Sequence, residues 1–334
     1  MSISPQPGRI LLAPMEGVID APMRELLTRL GDYDRCVTEF IRVTDQRLPA
    51  RVFRRLCPEL NNDGRTATGV PVFVQLLGGD AAAMALNAVQ AVTLGAPGID
   101  INFGCPAKCV NRNDGGSVLL KEPERIGRIV AAVRDAIPAD IPLSVKIRLG
   151  FADSAQLEQI SSAVYQAGAG ELCVHARTRE DGYKPPAHWQ DVQRVHPEAA
   201  LPVVINGEIW TPHDAALAQQ QSGCQDLMLG RGALSSPDLA RRIRALQRGE
   251  TPLPLPWLTL LPHILSQFNN TTAAHPKYIG CRLKQWLVYL RREYREAADL
   301  FARVKRLTDA DAIRAAFDEH ERALLRGETP AATG

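Results

Sequence analysis

Between residues 10 and 247 the chain alternates short apolar runs with helical patterns eight times over, a rhythm that few folds accommodate. The runs are ILLA (10–13), CVTEF (36–40), PVFVQLL (71–77), GIDIN (98–102), LSVKIRL (143–149), ELCVH (171–175), PVVIN (202–206) and DLMLG (226–230). Each has the length of a strand, and most are apolar without alternation, as in strands buried on both faces of a parallel sheet. Eight strand–loop–helix units in about 250 residues predict a closed (β/α)8 TIM barrel. The competing α/β architecture is an open doubly wound sheet. It would carry a GxGxxG turn after the first strand, where this chain has PMEG, Pro14 to Gly17.

Helix signals fill the gaps. Asp20 can cap a helix over 21–30 with Pro22 in its first turn, and Asp80 opens an Ala-rich helix that ends before Gly95. Further helices are expected near 123–136, 154–167, 189–195, 211–220 and 237–247, while 44–69 reads as irregular and polar, with CPELNNDGRTATG as a loop. After about residue 250 the grammar changes. TPLPLPW forms a Pro-rich hinge, and beyond it only helical periodicity appears, predicting a small helical domain with a frayed end at GETPAATG.

Composition excludes several classes. Apolar residues make up 45% and charged residues 23%, as in ordinary soluble domains. No window holds about 18 uninterrupted apolar residues, so no membrane span is expected, and MSISPQPGRI lacks a secretory pattern. The seven cysteines are scattered with no CxxC pair, which points to reduced thiols and a cytoplasmic location. A net charge of +2 conceals a basic tail, RRIRALQR at 241–248 and CRLKQWLVYLRREYREAADLFARVKRL at 281–307. That footprint permits a polyanionic partner, although the same pattern suits a solvated helix face. No coiled-coil heptad or apolar stripe calls for a partner copy, so a monomer is the default expectation.

Functional residues of such a barrel sit at strand C-terminal ends and in the loops that follow. There the chain places Pro14, Met15 and Glu16; Gln75; Asn102 and Cys105; Lys146 and Arg148; His175; Asn206, Gly207 and Glu208; and Gly230 with Arg231. Cys105 lies in DINFGCPAKCVNRNDGGSVLL (100–120), a thiol just past a strand in a loop of small residues. Lys146 alternates with Val145 and Ile147, so it faces away from them, into the barrel mouth or out to solvent. His175 could be a satisfied core histidine or a ligand. NGEIW and GRGAL, the last two loops, offer glycines and Arg231 at the usual phosphate corner. Together these residues suit a flavin mononucleotide site or a phosphosugar site.

LLAPMEGVIDAPMR, VQLLGGD, the cysteine segment, VKIRLGF, VHARTREDGY, INGEIW and LGRGAL occur in one order over residues 8–307 together with the helical tail. In these motifs the sequence resembles the tRNA-dihydrouridine synthase family, flavoenzymes that reduce a uridine in tRNA. The PMEGV start and CRLKQWLVYLRREY most resemble the subfamily acting on uridine 16 of the D loop. The resemblance implies a catalytic barrel over 1–250 and a tRNA-binding helical domain over 251–334. It implies FMN as cofactor and NADPH as reductant. Pro14, Met15, Glu16 and Gly17 would line the flavin edge, with Gln75, Lys146 and His175 bonded to the ring. Asn206, Gly207, Glu208, Gly230 and Arg231 would hold the ribityl chain and phosphate. Cys105 would be the general acid and Asn102 would touch the uracil, with Cys109 incidental. Arg42, Tyr183, Lys277, Arg282, Lys284 and Arg291 would meet the tRNA, Lys284, Arg291 and Arg295 sharing one helix face. A thiol suits that role: near pKa 8.5 it stays protonated at pH 7 and can donate to C5 while hydride reaches C6. Three other readings stay open: an FMN-dependent reductase of a free pyrimidine, the same chemistry at another tRNA uridine, and an RNA-binding barrel without catalysis.

Overall fold

The computed structural model of the protein describes residues 8–195, 201–274 and 276–327. The end GETPAATG, expected to fray, falls outside them after Gly327. The strands are β1 (Ile10–Leu12), β2 (Arg35–Val37), β3 (Ile41–Arg42), β4 (Val72–Leu77), β5 (Ile99–Asn102), β6 (Leu143–Arg148), β7 (Glu171–His175), β8 (Val203–Asn206) and β9 (Asp226–Leu229). All pair in parallel. β1 pairs with both β2 and β9, and β2 pairs with β4, so the sheet closes on itself. β2 and β3 both lie along β4 and together make one interrupted strand, giving the eight staves of a TIM barrel.

That interruption corrects the continuous strand expected over 36–40. Thr38 takes its place in the ladder partly through its side chain: its N–H donates to Phe73 O (3.0 Å), and its hydroxyl accepts from the Gln75 N–H (3.0 Å). The local bulge frees Glu39 to accept the Gly17 N–H at 2.5 Å, tying the loop after β1 to its neighbour.

Alternate residues face the lumen. Leu11, Ala13, Val37, Phe73, Cys173, Val204 and Met228 fill it as a cluster of their own. A much larger core packs between strands and helices. Burying each such aliphatic or aromatic side chain contributes about 1.5–3 kcal/mol. At the lower end Glu171 accepts from Arg35 and, at 2.9 Å, from Arg9, while the Arg35 guanidinium lies 4.3 Å over Phe73. The upper end stays polar and open.

Asp20 and Asp80 cap their helices as expected, and Thr211 builds a capping box on Pro212–Ser222. Helix Pro123–Ala136 also forms where its pattern predicts. Segment 44–69 is not irregular: it holds a helix, Ala50–Leu56, and a 3-10 turn, Pro58–Asn61. Its charged composition concealed one buried side, where Phe53 is fully covered. The fully buried Arg24 reaches across to bind both Glu59 oxygens (2.8 and 2.9 Å) and the Leu56 carbonyl (2.9 Å). The helix expected from 154 begins at Leu157, because the preceding loop is drawn aside to pair with the loop after β7 (Arg179 N–H to Gly150 O, 3.0 Å). The helix after β9 is split into Arg231–Ser235 and Leu239–Gln247.

Past the Pro-rich segment, four helices follow among the described residues: Trp257–Ala274, Cys281–Leu290, Arg295–Val304 and Ala310–Leu325. Trp286 Nε1–H donates to Leu234 O (3.0 Å), Arg242 pairs with Glu293 (2.7 Å) and Arg282 with Asp20 (3.1 Å), so this tail packs firmly on the barrel. Among the described residues no helix is long and apolar enough to cross a membrane.

The tail core contains a titratable group. Trp257 Nε1–H can only donate, and it lies 3.0 Å from His320 Nε2. His320 must therefore be neutral, with its proton on Nδ1 facing Asp299 Oδ2 at 2.8 Å. Burial lowers its pKa in spite of Asp299, with Arg303 adding to the fall and Glu296 opposing it. The folded state thus binds fewer protons than the unfolded chain below about pH 6.5. Stability from this group is complete above that value and lost as pH falls through it, by at most about 1.4 kcal/mol per pH unit. Urea midpoints at pH 7.5 and 5.5 check this, since His320→Gln should flatten the difference.

Candidate active site

β-Strand register brings the polar residues together. Arg148, His175, Asn206 and Met228 are consecutive partners across β6, β7, β8 and β9, so their side chains form one row at the mouth. Asn102 pairs with Lys146 in the row below. Above them opens a cleft of about 1050 Å³. Its walls include Pro14, Met15 and Glu16, Gln75, Asn102, Cys105, Lys146, His175, Asn206, Gly207, Glu208, Gly230 and Arg231, with Arg42 and Tyr183 at the rim. The structure gathers these predicted residues here, whereas Gly17, expected beside them at the flavin edge, is not among the walls.

The basic tail residues lie elsewhere. Arg282 donates to the Gly17 carbonyl and pairs with Asp20, and Lys284 Nζ donates to Leu307 O at 2.6 Å, so both spend their charge on packing. The shared face expected for Lys284, Arg291 and Arg295 does not form. The helix stops at Leu290, Arg291 caps it, and Arg295 opens the next helix. Lys277 and Arg291 are exposed, the latter 5.9 Å over Phe301. The tail contributes Tyr289 to the cleft instead.

Lys146 Nζ donates to Asn206 Oδ1 (2.9 Å), and Asn206 Nδ2 donates to Met228 O (2.8 Å). Burial pulls the ammonium below its ordinary pKa, and Arg148 adds to that. Burial also holds His175 well below its ordinary range, reinforced by Arg148, Lys146, Arg177 and Arg231. The imidazole is therefore neutral at pH 7. Arg177 Nη1, a donor only, lies 3.5 Å from Nε2, which places the proton on Nδ1. Nδ1 is buried with no hydrogen-bond partner among the described residues. An orphaned buried N–H is costly unless a ligand's acceptor meets it.

Glu208 is a hub. It accepts from Arg177, from Trp210 Nε1 (2.9 Å) and from Arg231 (3.3 Å). Burial pushes its carboxyl up, but Trp210, Arg177 and Arg231 together hold it below the usual range. The adjacent Gly207 has φ +112°, and a Cβ there would lie 2.8 Å from His175 Cδ2. No other residue fits that position.

Cys105 is half-buried, in a loop fixed from several sides. Its N–H donates to Asn102 Oδ1 (3.0 Å), and its carbonyl accepts from the Ser117 N–H (3.0 Å) and Asn111 Nδ2 (2.9 Å). Gly116, at φ +67°, allows this approach, since a Cβ would stand 2.8 Å from the Cys105 carbonyl. Burial pushes the thiol up from its ordinary pKa, against the pull of the Ala107 N–H and Arg148, so the sulfur keeps its proton at pH 7. Cys109 lines the same cleft, though its spacing suggested no role.

Arg148 was noted in the sequence but given no role. Its Nε donates to Gly104 O (2.8 Å), and Nη1 to Thr178 O (2.9 Å) and Gly182 O (2.8 Å), clamping the cysteine loop to the loop after β7. Its guanidinium lies 5.1 Å over Tyr183, and Arg231 lies 5.3 Å over the same ring. Arg231 also stacks at 5.0 Å on Trp210, which meets Arg292 of the tail at 4.0 Å. This rim of guanidinium and aromatic groups was invisible in the sequence because its members come from five separate segments.

The arrangement offers a thiol that carries its proton, a fixed cation, a neutral imidazole with an unused donor and a glycine–arginine corner around one cleft. Comparison with known proteins bears on what it does. A family model described as dihydrouridine synthase matches residues 11–318. The chain is 50% identical over 307 residues to a tRNA-dihydrouridine(16) synthase of Pseudomonas putida, covering 91% of this chain and 95% of that protein. It is 49% identical over 306 residues to one from Aquipseudomonas alcaligenes, covering 91% and 97%. A third, from Haemophilus influenzae, is 45% identical over 314 residues, covering 93% and 99%. Among solved structures, a crystal structure of DHODH in complex with ferulenol from Eimeria tenella matches with a TM-score of 0.51 at 13% identity, covering 73% of this chain and 83% of that one. That likeness bears on the fold alone.

Proposed function

This chain belongs to the dihydrouridine synthase family, and we propose that it reduces the C5–C6 double bond of uridine 16 in tRNA with FMN as cofactor and NADPH as reductant. One observation carries the reading: Cys105, Lys146 and the unpartnered Nδ1–H of His175 converge on a single cleft. The residues fit a flavin mononucleotide. His175 Nδ1–H and Lys146 Nζ are donors for the acceptor atoms of its ring, and Arg231 beside Gly207 and Gly230 suits its phosphate. Bound there, the flavin supplies the hydride for C6.

The protein's own groups do the rest. Cys105 Sγ holds a proton and delivers it to C5, and its raised pKa keeps it loaded at neutral pH. Lys146, anchored by Asn206, would hold a bound flavin's ring with a fixed charge that needs no reorganisation. Arg148 and Asn102 hold the cysteine loop over the mouth. Tyr183, more than half exposed, offers a ring on which an unstacked base can lie. On this reading residues 1–250 bind the flavin and 251–334 grip the tRNA. Lys277, Tyr278 and Arg291 are among the exposed tail groups available for that grip.

Protein loaded with FMN and supplied with NADPH should form dihydrouridine in an unmodified tRNA transcript and leave free uridine monophosphate untouched. Equal turnover of both would instead make it a reductase of free pyrimidines. Gly207→Ala should weaken FMN binding by about tenfold or more, the equivalent of about 1–3 kcal/mol of backbone strain. Flavin absorbance after gel filtration reads that loss.

A further inference from the structure

The cysteine loop hangs from a chain of buried side chains whose polarity follows from elementary donor counting. The N–H groups of Gly104 and Cys105 can only donate, and both point at Asn102 Oδ1, at 2.8 and 3.0 Å. That fixes Asn102 Nδ2 on the other side, where it donates to Gln75 Oε1 at 2.8 Å. Gln75 Nε2 must then face an acceptor, and it meets Asp100 Oδ2 at 2.7 Å. Asp100 Oδ1 accepts in turn from Ser144 Oγ at 2.5 Å. Each amide could be flipped end for end by itself, but a carboxylate at one end and two backbone donors at the other leave a single arrangement. Asp100 is 1% exposed and Gln75 0%, so water is not available to substitute for either contact.

We infer that Asp100 is a positioning residue: it sets the polarity of the Gln75–Asn102 amide chain and through it the place of the Cys105 loop. Asp100 itself touches neither loop nor cleft. Its effect passes along β5 and across to β4, whose register sets Gln75 beside Asp100. With the chain oriented this way, Gln75 and Asn102 each keep one N–H outside the chain, and both residues line the cleft. Burial raises the Asp100 carboxyl to about 6, with the Ser144 and Gln75 hydrogen bonds opposing the rise, so at neutral pH it remains mainly the acceptor that the chain requires.

The inference rests on the proposed reading only where catalysis is measured, and its first test needs neither flavin nor tRNA. Flavin-free protein in a Cys109→Ser, Cys281→Ser background removes the two exposed thiols and leaves Cys105 as the accessible one. Alkylation of Cys105 by iodoacetamide then reports loop placement, with Cys105→Ala as the blank. Asp100→Leu leaves Gln75 Nε2 without an acceptor and releases the chain, so alkylation should quicken by about tenfold. Asp100→Asn can still present its oxygen to Gln75, while Ser144 turns its hydroxyl to accept, so alkylation should stay within about twofold. In the loaded enzyme Asp100→Leu should lower kcat with the KM for tRNA unchanged, and Asp100→Asn should rescue it. An unchanged alkylation rate in Asp100→Leu overturns the inference. An Asp100→Asn variant as impaired as Asp100→Leu also overturns it, since charge rather than polarity would then be at work. Should Asp100→Leu fail to fold, Gln75→Met cuts the chain one link further on and must release Cys105 equally. A wild-type protein that forms no dihydrouridine would defeat the functional proposal and leave the alkylation result standing.

Discussion

Cys105→Ala is expected to cut dihydrouridine formation by about 10²–10⁴-fold, the usual contribution of a positioned general acid. Flavin binding should be unaffected. The loop is held by backbone contacts of residue 105 to Asn102, Ser117 and Asn111, none of which involves the thiol. Alanine keeps all of these. The defect should therefore lie in kcat, with the KM for tRNA near the wild-type value. Single-turnover reaction of the reduced, loaded protein with a tRNA transcript isolates that step. Full activity in the variant would remove Cys105 from the chemistry.

Arg24→Met carries the largest expected cost in stability, about 3–5 kcal/mol. Arg24 is fully buried and binds Glu59 through two parallel contacts and Leu56 through its carbonyl. Removing the guanidinium strands a nearly buried carboxylate and leaves the end of helix Ala50–Leu56 uncapped. The pair is not in itself a source of that much stability. Arg24→Met combined with Glu59→Leu should recover most of the loss, since no unpaired charge remains. Urea unfolding of both variants, followed by circular dichroism, separates the two statements.

Much of this was legible before the structure because the barrel places chemistry at strand ends. The eight apolar runs located the mouth, and the polar residues closing them named its walls, from Gln75 to Arg231. Asp20 and Asp80 announced their helices by a local rule that tertiary structure had no reason to override. The failures share one cause, which is that a charged side chain does not declare its partner in the sequence. Arg24 carries no sequence signal of its burial and is fully covered. Arg282 and Lys284, expected at the tRNA, also bond to the backbone carbonyls of Gly17 and Leu307, partners that their places in the sequence did not announce. Arg148 looked like a strand-end charge and clamps carbonyls from two loops. Segment 50–56 was missed for the same reason, its arginines concealing the single buried face centred on Phe53.

The direct test of the central claim is a map of dihydrouridine positions in tRNA from cells in which the gene has been deleted. Dihydrouridine at position 16 should vanish while other positions keep theirs, and the wild-type chain should restore it where Cys105→Ala does not. Retention of dihydrouridine at position 16, or its loss only at another uridine, would contradict the account.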